Sequence, residues 1–152
     1  MYSSVLLLHS WLRWAVILVG LFVLIRGFAG WSGTKPWTNA DDKGGFWFIL
    51  LLDLQIVLGL ILYFFLSPFT SQAFEDFGGA MRNSLLRFWA VEHTFGMAIG
   101  VALAHIGRVR TRKVAPARRH RTAAIFYGLA LLAILISIPW PGTPAGRVLF
   151  RW

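Results

Sequence analysis

A chain of 152 residues with 57% hydrophobic and 16% aromatic residues, but only 14% charged ones, cannot clothe a soluble surface, where roughly a quarter of all residues carry charge. The net charge of +9 lies in short stretches beside apolar runs and on no nucleic-acid reader motif, so membrane topology explains it and no nucleic-acid partner is expected. Cysteine is absent, which excludes disulfides, thiolate metal sites, iron–sulfur clusters and covalently attached haem; any cofactor has to be held by histidine, carboxylate or backbone.

Apolar runs long enough to cross about 30 Å of hydrocarbon occur at about 4–26, 46–66, 88–107 and 122–139. The first lacks a basic n-region and a small-residue cleavage site, and it is too long and Trp-rich for a removed signal peptide, so it reads as a retained helix. A Gly-rich polar stretch, "GFAGWSGTKPWTNADDKGG", follows it, and "SPFTSQAFEDFGGAMRNS" separates the second run from the third. The third run leads into the basic "GRVRTRKVAPARRHR", and the fourth stops at "IPWPGTPAG", where Pro139 and Pro141 cannot continue a helix. The expected fold is all-α, a single transmembrane domain over 1–152: an integral membrane four-helix up-and-down bundle.

Arg108, Arg110, Arg112, Lys113, Arg118, Arg119 and Arg121 crowd the third connection, which by the positive-inside rule belongs in the cytoplasm. With four spans, both termini then lie outside the cytoplasm, together with Arg82, Arg87, Arg147 and Arg151. Arg26, Lys35 and Lys43 in the first connection face inward by the same rule. A bacterial inner membrane is the expected location, with Trp11, Trp14, Trp47, Trp89 and Trp140 near the span ends as an aromatic belt.

Ionisable groups inside such spans are expensive and point to function. His9 and His93 lie at nearly the same depth on parallel helices one and three, and two level imidazoles on separate helices suit one metal centre between them. His93 shares its face with Gly96, Gly100, Ala104 and Gly107, and His9 shares its own with Arg13, Val16, Gly20 and Gly27. Small residues there leave clearance for a flat porphyrin; the same Gly96-xxx-Gly100-xxx-Ala104 stripe equally lets two helices approach closely. His105 and His120, level at the inner edge, are candidates for a second haem, though His120 within "ARRHRT" also reads as a solvated member of a basic loop. Arg82 and Arg87 are placed to meet haem propionates, Arg13 and Asp53 to form an interhelical ion pair, and Glu92 to relay a proton to a quinone.

On "LHSWLRW" at 8–14, "LGLILYFFLSP" at 58–68, "LRFWAVEH" at 86–93, "HIGR" at 105–108 and "AIFYGLALLAILISIPWP" at 124–141, the chain resembles small four-span bacterial membrane proteins labelled cytochrome b or cytochrome b-like. That resemblance implies a non-covalent b-type haem with His9 and His93 as its axial ligands. It departs from the diheme cytochromes b, which carry same-face histidine pairs thirteen or fourteen residues apart on each of two helices; here one helix alone holds two, spaced by twelve. The leading expectation is an electron-transfer protein or subunit of a membrane oxidoreductase, with one bis-His haem near the outer face. It would exchange electrons with quinol or a partner redox subunit, as part of a homo-oligomer or larger complex. The alternative is a haem-free structural subunit of a larger inner-membrane complex, its histidines serving as interhelical hydrogen bonds.

Overall fold

The computed structural model describes residues 1–150, and among them every regular element is helical. Helix α1 spans Tyr2–Ala29, and α2 spans Asn39–Ile61, extended by a π-helical turn over Leu62–Leu66. Three short helices follow: α3 (Pro68–Glu75), α4 (Phe77–Arg82) and α5 (Ser84–Arg87). A second π turn, Phe88–Glu92, leads directly into α6 (His93–Lys113), and α7 runs over Arg119–Ser137.

Two connections differ from the sequence reading. The punctuated stretch after the second apolar run is not a loop, because Pro68 sits in the first turn of α3, Asp76 caps α4 through Gly79 N, and Asn83 caps α5 through the amides of Leu85 and Leu86. The basic third connection is largely helix: α6 runs past 107 to Lys113, which puts Arg108, Arg110, Arg112 and Lys113 on its last turns, where cations suit the helix dipole.

Among the described residues three helical stretches are long and apolar enough to cross a membrane: Tyr2–Ala29, Asn39–Leu66 and Pro116–Ser137, with mean hydropathies of 2.0, 2.5 and 1.5. Helix α6 is of similar length, but Glu92, His93, His105 and its terminal cations dilute its apolar character. The long helices form a ring. Gly20 lies on Phe48 and His9 on Gly59, so α1 and α2 are antiparallel; Gly100 lies on Ile134 and Gly107 on Phe126, so α6 and α7 are as well. Tyr63 reaches Ala90 and Arg108 reaches Asp42 between α2 and α6, and Gly27 rests on the backbone of Ala124 where α7 closes onto α1.

The core is thin in side chains and rich in small residues. Val16, Val23, Phe48, Leu52, Tyr127 and Ile134 are buried around Ala104, Ala123 and Ala130, while Leu18, Ile25, Phe65, Phe95 and Ile136 stand outward, each more than 60% exposed. An apolar exterior around a small-residue interior is the expected pattern where lipid is the solvent, since close backbone approach and not apolar burial then holds helices together.

At the end that carries the basic residues, Asp41 closes the α1–α2 turn. Its carboxylate accepts from Thr38 N (2.7 Å) and Thr38 Oγ1 (2.6 Å), forming a capping box on α2, and from Arg26 Nε (2.5 Å) and Nη2 (3.0 Å). Asp41 is buried, so removing its charge strands four donors. Asp41→Ala is expected to lower unfolding stability by about 2–3 kcal/mol, measured in detergent micelles, and Asp41→Asn by less because the cap oxygen survives.

Candidate functional site

The two prolines after α7 create the first element of the site. A helical carbonyl normally accepts from the amide four residues on, but for Leu135 and Ser137 those residues are Pro139 and Pro141, which have no N–H. Side chains take their place: the Trp140 indole donates to Leu135 O at 2.8 Å, and His93 Nδ1 lies 2.8 Å from Ser137 O. A carbonyl oxygen only accepts, so Nδ1 of His93 carries the proton and Nε2 keeps its lone pair. Metal-binding histidines are usually held this way, one ring nitrogen fixed by a carbonyl and the other free to donate electrons.

His93 opens α6 immediately after the π turn, and its ring stands 5.4 Å from Trp89 and 5.8 Å from Phe88. The two π turns are linked. Tyr63, from the turn ending α2, donates its hydroxyl to Ala90 O at 2.7 Å, and Thr70 of α3 donates to Tyr63 O at 2.7 Å. Such turns widen the backbone locally and recur at functional positions; here both border one cavity.

That cavity has a volume of about 200 Å³ and lies between α1, α2, α6 and α7 at the end opposite the basic residues. His9 and His93 both line it, with Leu52, Gln55 and Gly59 of α2, Tyr63, Trp89, Met97 and Ile134. His9 is turned toward α2, where its Cε1 packs over Gly59. The Gln55 amide nitrogen donates to His9 O at 3.0 Å and lies 3.3 Å from His9 Nε2. Three polar atoms of cavity-lining residues are buried without a hydrogen-bond partner: His9 Nδ1, Gln55 Oε1 and Trp89 Nε1. Orphaned donors and acceptors beside an open volume are what a bound group would satisfy, because each is costly to leave unpaired.

The segment after α7 folds back over the mouth. Arg147 stacks over Trp89 and Phe69, at 4.8 and 5.0 Å from the ring centroids, and reaches Tyr2 Oη at 3.5 Å. Arg13 Nη2 and Trp14 Nε1 donate to Leu149 O at 2.7 and 3.2 Å, and Phe150 stacks on Trp14.

Of the residues expected at the site, the fold therefore brings His9 and His93 to one cavity and separates most of the others. Gly96 and Gly100 face α7, where a Cβ would meet Ser137, Ile134 and the Ala130 carbonyl, and Gly20 faces Phe48 and Leu131; all three serve close helix packing and give no porphyrin clearance. Neither Arg82 nor Arg87 lines the cavity: Arg82 is exposed, while Arg87 binds Glu92 at 2.6 Å and Met81 O at 3.2 Å on the surface. The guanidiniums at the cavity are Arg13 and Arg147. Glu92, held in that exposed pair, points away from the cavity lining.

His105 and His120 do not share a site. His105 Nε2 pairs with Asp53 Oδ1 at 2.8 Å on the outer surface of α2 and α6, so Asp53 does not take Arg13 as its partner. His120 is buried beneath Gly30, with its ring 5.0 Å from Trp37 and Nε2 3.3 Å from Pro36 O, far from a solvated place in a basic loop. Arg151, expected on the outer side, lies outside the described residues. Among the described residues no three His, Asp or Glu side chains gather as a metal site.

Sequence reasoning missed Tyr63, Trp89, Met97 and Arg147 as cavity residues. The π turns left no readable signal, but the Pro-Trp-Pro after Ile138 did: it announces free carbonyls at the end of α7. No protein-family model, curated protein or solved structure matches the chain.

Proposed function

We propose that this chain is a multi-pass protein of the bacterial inner membrane that holds a single b-type haem between α1 and α6 and passes electrons through it. In this reading α6 is a fourth span. It packs between α2 and α7, and Phe88–Lys113 is about 39 Å long at 1.5 Å per residue, enough for about 30 Å of hydrocarbon with the terminal arginines and Lys113 snorkelling to the interface. Arg108, Arg110, Arg112, Lys113, Arg118, Arg119 and Arg121 then mark the cytoplasmic side, which leaves both termini and the cavity toward the outer face.

The observation that carries the haem reading is that His9 and His93 line one cavity while a backbone carbonyl fixes the tautomer of His93. The lining fits the group in part: His93 Nε2 keeps its lone pair and Arg13 and Arg147 supply cations for two carboxylates, whereas His9 would ligate through Nε2 only by giving up the Gln55 amide, and the helices would have to part, because about 200 Å³ is less than a porphyrin fills. A haem bound there supplies a one-electron couple whose potential follows its axial ligands and burial. The chain's own part is to hold His93 by Ser137 O, to hold His9 by Gln55, and to shield the pocket with Trp89, Met97 and the strap through Arg147. Quinol, or a partner redox subunit, is the proposed source or acceptor of electrons, reached from the lipid because so little chain lies outside the helices.

Reduced-minus-oxidised spectra of the protein purified after expression with ample haem test this directly. The expected result is a b-type spectrum with a single haem per chain; a colourless, folded protein refutes it.

One set of observations favours the second reading, a haem-free subunit of a larger complex. Gly20, Gly96 and Gly100 are consumed by helix packing, and both histidines already have a hydrogen-bond partner within the fold. On that reading His9→Ala and His93→Ala change partner association and leave no spectroscopic trace.

A further inference from the structure

The His105–Asp53 pair lies outside the cavity and has no part in the haem reading. Its Nε2–Oδ1 distance is 2.8 Å, yet both side chains are 46% exposed. Asp53 lies about 20 Å from either end of Asn39–Leu66 at 1.5 Å per residue, so in a spanning helix it falls near the bilayer centre. Around it the exposed surface is apolar: Leu54, Val57 and Leu60 on α2, and Ile106 and Val109 on α6. Ionisable side chains within spans almost always turn inward or line water, because lipid satisfies no hydrogen bond. This pair does neither.

Its leftover valences are self-complementary. With His105 Nδ1 protonated, the pair is neutral whether the shared proton sits on Nε2 or on Oδ1, and it then offers one donor, His105 Nδ1–H, and one acceptor, Asp53 Oδ2. A twofold axis beside the pair sets each donor against the acceptor of the other copy, since an isologous interface presents the same patch twice.

We propose that the outer face of α2 and α6 is a homodimer interface in which His105 of each copy donates from Nδ1 to Asp53 Oδ2 of the other, closing a four-residue polar ring inside an apolar contact. The proposal rests on the membrane-spanning reading and is independent of haem. Interhelical hydrogen bonds shielded from water, flanked by close apolar packing, are the recognised adhesive between spans.

The absence of cysteine makes the test clean. Single substitutions Val57→Cys and Ile106→Cys, on the proposed face, are compared with Leu18→Cys and Ile136→Cys on the outward faces of α1 and α7, under mild oxidation in carbonate-washed membranes. The first two are expected to give a disulfide-linked dimer several-fold more efficiently than the last two. The unmodified protein in nanodiscs is expected to have the mass of two chains, and Asp53→Leu/His105→Leu to dissociate about tenfold more readily or worse. Equal cross-linking at all four positions, a single-chain mass, adducts of Val57→Cys with a different protein, or an undisturbed dimer in the double variant overturns the proposal. If the double variant misfolds, the cysteine comparison still decides, because there the pair is intact. Extraction by carbonate refutes the spanning reading itself; a membrane-retained monomer refutes only the dimer.

Discussion

If the proposed haem is held, His93→Ala is expected to abolish pigment binding, while Ser137→Ala leaves it intact. His93 is fixed by the backbone oxygen of Ser137, which alanine preserves; the Ser137 hydroxyl is spent on Ala133 O at 2.8 Å within α7. The contrast isolates the ring from the helix end it touches. His93→Ala also leaves Ser137 O without a donor in a proline-ended helix, so stability should fall by about 1–3 kcal/mol whether or not a haem is present. Absorbance per chain and unfolding in detergent, measured on both variants, separate the two contributions: a haem-free subunit shows the stability loss alone. On the same proposal His9→Ala should likewise lose the pigment, and Gln55→Ala should retain it with an altered potential, since Gln55 holds His9 and would not itself ligate.

Gly27→Ala is expected to be the most disruptive single-methyl addition among the helix contacts. Its Cβ would meet N, Cα and Cβ of Ala124 at 2.9–3.0 Å, and backbone cannot rotate aside as a side chain can. Helices α1 and α7 would have to separate along their length, with a cost of about 1–3 kcal/mol and loss of the ring's closure. Gly59→Ala provides the comparison: it meets only the His9 ring, Cε1 at 3.3 Å and Nδ1 at 3.9 Å, which can shift, so stability should change little while the cavity and any bound pigment respond. Thermal unfolding in micelles, followed by helicity, ranks the two. Equal melting temperatures would show that α1 and α7 are not held by backbone contact.

Hydropathy placed three helices that are long and apolar enough to cross a membrane, because a run of some twenty apolar residues has one economical use; the expected fourth crossing, by α6, is carried by a segment diluted with polar groups and stands as a proposal. The level of His9 and His93 was readable too, since rise per residue is a constant of the helix. What rotation and spacing could not supply is the partner across the gap. Gly96 and Gly100 share a face with His93, yet that face looks at α7, and nothing local to α6 says which neighbour fills it. Arg13 and Asp53 are opposite in charge and similar in depth but part company, Arg13 toward Leu149 and Asp53 toward His105, because packing decides which neighbour the face of each helix meets.

Sequence alone, then, settled the all-helical character, the apolar exterior and the gathering of positive charge at one end, all properties of composition and local periodicity. Tertiary structure decided which side chains share a cavity, which histidine has its proton fixed, and which glycines are filled. Those depend on contacts between segments as far apart in the chain as His93 and Ser137, or Arg13 and Leu149, where no pattern within either segment records the other.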